Sequence, residues 1–226
     1  FATRRHTAAM ATALTSKGVA TWNIEYRQLG EEGAGWPGTF LDWGAATDHL
    51  RVLAKTYPLD LSRIVVTGHS AGAHAALFVA SRPKLPADSA VRGADPLPVR
   101  AAVAIDGPGD LVPFVGPDAK ICGKPVIEPL MGGTPDTVAD RYSHGSPAAL
   151  LPLGVRQALV FGVPLRGSLL QLVAICVIGA LGFCARMMPA SSASAASRET
   201  LHVDRRRTRT RRHPRAAQPR PRAHQS

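Results

Sequence analysis

At 226 residues and 45% apolar composition, the chain is long enough for one domain with a sizeable core. Its net charge of +11 invites a nucleic-acid function, but residues 1–160 carry 15 Lys and Arg against 14 acids. The surplus sits in residues 161–226, which hold 12 Arg, no Lys and only Glu199 and Asp204, so no nucleic-acid partner is expected for the core.

Three cysteines, Cys122, Cys176 and Cys184, are an odd number without metal-ligand spacing. They read as small buried hydrophobes rather than a disulfide framework, and nothing calls for a metal or cofactor. Phe1-Ala-Thr-Arg-Arg-His lacks the charged-then-apolar pattern of a secretory signal. The expectation is a chain that starts partway through a longer gene product, with a cytoplasmic location favoured over a membrane-anchored one.

Thr7 to Lys17 reads as a helix stopped by Gly18. Val19 to Tyr26 reads as a strand, and Leu29 to Gly38 as a Gly-rich loop with Trp36-Pro37. Thr39 and Asp42 have the spacing of a weak capping box for a helix running to Tyr57 before Pro58. Arg63 to Thr67 is a β-branched strand, and Ala73 to Ala80 a helix of small and apolar residues. Val99 to Ile105 and Arg156 to Phe161 are further strands. Between them, residues 106–151 are irregular, with one short helix near Asp136 to Tyr142. Strands that are continuous apolar runs alternating with helices predict a parallel sheet covered on both faces, with these four strands as neighbours.

Between the strand at Arg63 and the helix at Ala73 stands Gly68-His69-Ser70-Ala71-Gly72. Gly-x-Ser-x-Gly alone is a weak signal; a strand before it and a helix after it are what a nucleophile elbow needs. In such a turn Ser70 is the candidate nucleophile, held in a strained backbone. Gly68 and Gly72 let strand and helix approach, and the Ala71 N–H at the helix start is a candidate oxyanion donor.

Gly68-His69-Ser70-Ala71-Gly72-Ala73-His74 resembles the elbow of the esterase, lipase and kynurenine-formamidase-like branch of the α/β-hydrolases. Asn23-Ile24-Glu25-Tyr26-Arg27, Trp36-Pro37, Asp48-His49-Leu50-Arg51, and Ser146-Pro147 with Leu151-Pro152 resemble that branch too. The likeness runs from residue 1 to about 162 and implies an incomplete, doubly wound, mostly parallel α/β-hydrolase sheet. It also implies hydrolysis of a small carboxylic ester or amide through an acyl-serine on Ser70.

Three departures follow from the resemblance. A His-Gly-Gly loop giving the second oxyanion donor belongs just before Phe1. The catalytic acid belongs after Phe161-Gly162, where Val163-Pro164-Leu165-Arg166 stands instead. The catalytic histidine belongs later still, where no strand-and-helix unit is recognisable. His69 and His74 are too close to Ser70 in sequence for the family's base; His6, His49 and His144 lie too early; His202, His213 and His224 fall in the Arg-rich tail. His202 and Asp204, two residues apart, cannot serve as base and orienting acid from separate loops. Asp106 and Asp110 follow a strand end, where functional groups often stand, but read as loop acids. Acid and base are expected to be missing from the chain, and little turnover with them.

Three segments result: a partial hydrolase core over 1–162, an apolar segment over 163–185, and a disordered Arg-rich tail over 186–226. Ser168 to Ala185 is at the lower length limit for a membrane span and gives the only expected membrane contact. Arg, Ala, Pro and Ser with almost no Lys is also what an out-of-frame reading of GC-rich coding sequence yields, and that is the expected origin of the tail. The alternatives to the esterase reading are a prolyl-oligopeptidase-type serine peptidase, or a non-catalytic protein that binds membrane or nucleic acid through the tail.

Overall fold

The computed structural model describes residues 4–161 and 200–202. A 3₁₀ turn at Arg4–Thr7 leads into α1 (Ala8–Ser16), which ends where Gly18 takes a φ of 82°. Then come β1 (Thr21–Asn23), α2 (Gly38–Asp48), α3 (Leu50–Leu53), β2 (Val65–His69), α4 (Ala71–Ser81) and β3 (Ala101–Ile105). The chain continues through α5 (Pro117–Cys122), α6 (Ile127–Met131), α7 (Ala139–Gly145), β4 (Arg156–Val160) and β5 (Thr200–His202).

β2, β3 and β4 form a parallel sheet in that order, with Val65 opposite Ala101 and Ala101 opposite Arg156. α4 packs on β2 and β3, and every residue from Gly72 to Ser81 is buried. That is why the helix reads as apolar all round: it has no solvent face. Phe40 and Trp43 of α2 meet Phe78 of α4 edge-on, with ring centroids 5.0 and 5.8 Å away. These aromatic contacts fix α2 against α4 at the centre of the core.

Several expectations need correction. The Val19–Tyr26 strand shrinks to three residues, and β1 is not a neighbour of the parallel sheet; it pairs antiparallel with β5. Asn23 turns instead to the amino-terminal turn, accepting from Thr7 Oγ1 at 2.8 Å and donating to the Arg4 carbonyl at 2.8 Å. Thr200–His202 falls inside the tail expected to lack structure, yet it pairs with β1. The rest of that tail and the apolar segment from Ser168 to Ala185 lie outside the described residues. Among the described residues no helix is long and apolar enough to cross a membrane. The Thr39–Asp42 capping box does not form. Thr39 Oγ1 donates to the Arg27 carbonyl and accepts from Gly35 N, while Asp42 takes the Arg27 guanidinium at 2.9 Å. Both residues order the loop before α2 rather than cap the helix.

The flank of the core is held by one buried cation. Arg82, 2% exposed, meets Asp48 through both terminal nitrogens, at 3.1 and 2.7 Å. It also donates to the carbonyls of Gly44 and Arg92, while Asp48 Oδ1 accepts Leu97 N at 2.7 Å. Helix α2, the end of α4 and the 92–97 loop are thus tied to a single ion pair. A cation this deep is tolerated only because every hydrogen of its fork has an acceptor. Replacing Arg82 with Met should cost about 3 kcal/mol, because Asp48 loses its bidentate partner in a part-buried site and keeps only Arg51 at 3.6 Å. Urea unfolding of the two proteins measures it, and a loss below about 1 kcal/mol would refute the clamp.

Candidate active site

β2 carries Val65-Val66-Thr67-Gly68-His69 to the carboxyl edge of the sheet, and α4 starts two residues after its last member. The turn between them leaves one residue, Ser70, at φ 56° and ψ −120°. Few L-residues adopt that conformation, and it costs of order 1–3 kcal/mol unless the surroundings impose it. Here they do. Ser70 N donates to Ile105 O at 2.9 Å, and its carbonyl accepts from Ala73 N at 3.0 Å and His74 N at 3.2 Å. A Cβ at Gly68 would collide with the Gly72 backbone, and one at Gly107 with the Ser70 carbonyl. The strand, the turn, the helix and the 106–108 loop are therefore in backbone contact. Ala71 N–H is one of the first-turn donors that a helix cannot satisfy internally. Ser70 Oγ makes no hydrogen bond among the described residues.

Ser70 and Ala71 line a cavity of about 100 Å³. Its far walls come from the stretch that reads as irregular in sequence: Leu111, Phe114, Ile121, Ile127 and Leu130. A 3₁₀ turn at Val112–Phe114, preceded by Leu111, and the short helices α5 and α6 put these side chains there, and sequence reasoning missed them. The available signal was apolar residues recurring between Gly and Pro in 111–130. Cys122 also lines the cavity and is disulfide-bonded, which corrects its reading as a small buried hydrophobe.

The titratable groups around Ser70 have distinct environments. His74 is 2% exposed, with Nδ1 2.9 Å from the Pro108 carbonyl and Nε2 buried without a partner. Burial pushes its pKa below 6.5, against the pull of the Pro108 and Gly145 carbonyls and of Asp110. It is thus a neutral core histidine. His69 Nε2 stands 3.8 Å from Asp106 Oδ2, so the two bridge the carboxyl ends of β2 and β3. Asp106 itself has a φ of 48°, a second strained backbone beside Ser70. Asp110 accepts Val112 N at 3.1 Å, as a loop acid does. His49 stacks on Trp22, and His144 Nδ1 is 3.2 Å from Ser89 Oγ. Asp118, 3% exposed, lines the cavity and accepts from Val126 N and Ile127 N at 2.7 and 2.8 Å. Burial works to raise its pKa, but the surrounding backbone N–H groups outweigh it and hold the carboxyl below its ordinary value. The positions at which the hydrolase resemblance places acid and base lie outside the described residues. Among the described residues no cluster of His, Cys, Asp or Glu could hold a metal.

A family model described as BD-FAE matches residues 2–153. No curated protein matches the sequence. Among solved structures, a bifunctional GH43-CE protein of Bacteroides eggerthii superposes with a TM-score of 0.54 at 23% identity. That match covers 69% of this chain and 21% of the longer protein. A lipase/esterase from Lactobacillus plantarum gives a TM-score of 0.50 at 19% identity, covering 70% of this chain and 73% of that one. At these identities the structural likeness concerns the fold alone.

Two outcomes follow. Ser70→Gly should raise stability by about 1 kcal/mol, because glycine adopts the turn without strain. Urea denaturation reads the gain, and a loss would mean that the turn is not imposed on Ser70. His74 has a folded pKa below its unfolded 6.5, so the unfolded chain takes up the proton first. Its contribution to stability is complete above pH 6.5 and declines as pH falls from there through the lower folded value. His74→Gln should flatten the fall of the urea midpoint as pH drops below 6.5; an unchanged slope would assign that fall to other groups.

Proposed function

The chain belongs to the BD-FAE family, an α/β-hydrolase-type esterase family, and on that premise we propose that it is a serine esterase with Ser70 as nucleophile. The observation that carries the reading is the strained serine at the strand-to-helix turn, bordering an apolar cavity. Ser70 Oγ would attack the carbonyl carbon of a small carboxylic ester. The displaced electron pair moves to the carbonyl oxygen, which Ala71 N–H stabilises with help from the amino end of α4. Collapse expels the alcohol, which carries off the proton released by Ser70, and leaves an acyl-serine, which water hydrolyses to the carboxylic acid and free Ser70. Gly68 and Gly72 serve by allowing the approach of strand and helix. A small amide is the finer alternative substrate.

Proton transfer is the weak step. No described residue hydrogen-bonds Ser70 Oγ, and the neighbouring His74 gives its Nδ1 to Pro108. We therefore assign the chain slow turnover. Loss of a triad member typically costs on the order of 10⁴–10⁶ in rate, leaving what binding and backbone donors supply.

An alkyl fluorophosphonate probe tests the nucleophile separately from turnover. It should label the protein slowly, and Ser70→Ala should abolish the label. Labelling that survives in Ser70→Ala, or none in the folded wild type, refutes Ser70. Nitrophenyl acetate and N-formylkynurenine then sort ester from amide chemistry, and a prolyl-nitroanilide checks for peptidase activity. Rapid turnover lost with Ser70 would place an acid and a base within the chain.

A further inference from the structure

The two oxygens of Asp118 are used unequally. Oδ2 accepts both Val126 N and Ile127 N, at 2.7 and 2.8 Å. Oδ1 is buried and has no hydrogen-bond partner among the described residues. The residue is 3% exposed, so bulk solvent does not supply one. Burial works against the charge, but the backbone N–H groups around the carboxylate outweigh it and keep Asp118 an anion near neutral pH. A buried anionic acceptor without a donor is costly, and a native fold keeps one only where another group meets it.

Asp118 lines the Ser70 cavity, and the rest of the lining favours one kind of group there. Its described residues include two acids, Asp106 and Asp118, and neither Lys nor Arg. Burial keeps His74 neutral and the Tyr26 phenol protonated, so neither offsets the acids. The rings of Tyr26 and Trp43 border the same space, edge to face with centroids 5.5 Å apart, and Phe114 adds a third ring. Aromatic rings attract cations over their faces. Water fits a cavity of about 100 Å³ and can donate to Oδ1, but it leaves the charge uncompensated. A hydroxyl has the same shortcoming, and an anion is repelled. A primary ammonium brings both the donor and the opposite charge.

We propose that the Ser70 cavity recognises a primary ammonium group on a short alkyl chain, with Asp118 Oδ1 as its acceptor. The alkyl chain lies against the apolar wall at Leu111, Ile127 and Leu130. The substrate class rests on the esterase reading: the preferred ester is then a small one that carries a cation. The ammonium also offsets the Asp118 charge near a forming oxyanion, which a neutral ester does not. Asp118 is thus a specificity-determining residue. The cation site itself does not depend on Ser70 being reactive.

The test measures binding to the whole chain carrying Ser70→Ala, which removes hydrolysis. Butylammonium, n-butanol and pentanoate, similar in length and different in charge, are titrated by ligand-detected NMR at about pH 7.5, where an alkylamine is protonated as lysine is. Butylammonium should bind saturably and about tenfold or more tighter than n-butanol, because its hydrogen bond to Oδ1 is charge-assisted on both sides. Pentanoate should bind more weakly than either. Adding Asp118→Asn should bring butylammonium and n-butanol to within about twofold of each other. The Asn oxygen can still accept Val126 N and Ile127 N, so the wall is kept. Asp136→Asn, at an exposed acid, should leave the preference unchanged. Equal binding of butylammonium and n-butanol would give Oδ1 to water and overturn the proposal, and that comparison needs no Asp118 variant. So would a preference that survives Asp118→Asn, or one that Asp136→Asn also abolishes. In the wild type, butylammonium should slow fluorophosphonate labelling of Ser70; unchanged labelling at saturation would place the cation elsewhere and overturn the proposal. No label at Ser70 without the amine would sink the esterase reading alone, because the titrations judge the cation site without it.

Discussion

At the turn between β2 and α4 three backbone segments touch with no side chain between them. A Cβ at Gly68 would run into Gly72, and one at Gly107 would run into the Ser70 carbonyl. The helix can start immediately beside the strand only because those positions have no side chain. Starting there, it leaves one residue to make the reversal, and that residue is forced to a φ of 56°. The strain at Ser70 and the start of α4 directly after it are both consequences of this approach. The strain is held in place by the buried length of α4 against β2 and β3, and by the Arg82–Asp48 pair that anchors the helix's far end.

What could be read in the sequence was what local rules decide. The run Ile64-Val65-Val66 has one plausible conformation, and so has Ala73 to Ala80; Gly-x-Ser-x-Gly between them leaves little choice of turn. The local pattern therefore predicts a strand ending at the Gly68-His69 step and a helix starting beside Ser70, and β2 and α4 meet there. The partners of β1 were not legible. Val19 to Tyr26 has the residues of a strand, but which edge it meets is a long-range choice that periodicity does not encode. Nor was the cavity wall legible. Ile121, Ile127 and Leu130 lie on short helices bounded by Pro117, Gly123 and Gly132, and five- or six-residue helices carry too little periodicity to stand out. Thr39 and Asp42 illustrate the same limit. Their spacing fits a cap, yet the Arg27 guanidinium and carbonyl win both side chains. A charged fork offers stronger bonds than a helix end.

Family and fold set the class of chemistry, and the site must carry the rest. The cavity at Ser70 is apolar except for a few groups whose ionisation is settled by their surroundings. His74 is held neutral, and burial pushes the Tyr26 phenol up to about 12. Neither contributes charge near neutral pH. In such surroundings a single N–H aimed at a developing oxyanion acts with little screening, which favours even an incomplete oxyanion hole.

Asp118 works in the other direction. It lines the same cavity and is held as an anion, and an anion near a forming oxyanion raises its energy. Its placement limits the damage. One carboxylate oxygen is committed to Val126 N and Ile127 N, so much of its charge is met by backbone dipoles that pin α5 to the start of α6. The carboxylate helps to shape the cavity wall, because those two bonds fix the start of α6, while Trp36 N–H holds the Leu130 carbonyl at 2.7 Å. The wall's shape therefore depends on a buried charge, and that charge opposes the reaction the cavity would host. Whether the balance favours catalysis depends on how many donors reach the oxyanion. With Ala71 N–H alone it is poor, and each further backbone N–H delivered to the edge at Ser70 shifts it by the several kcal/mol that one oxyanion donor typically supplies.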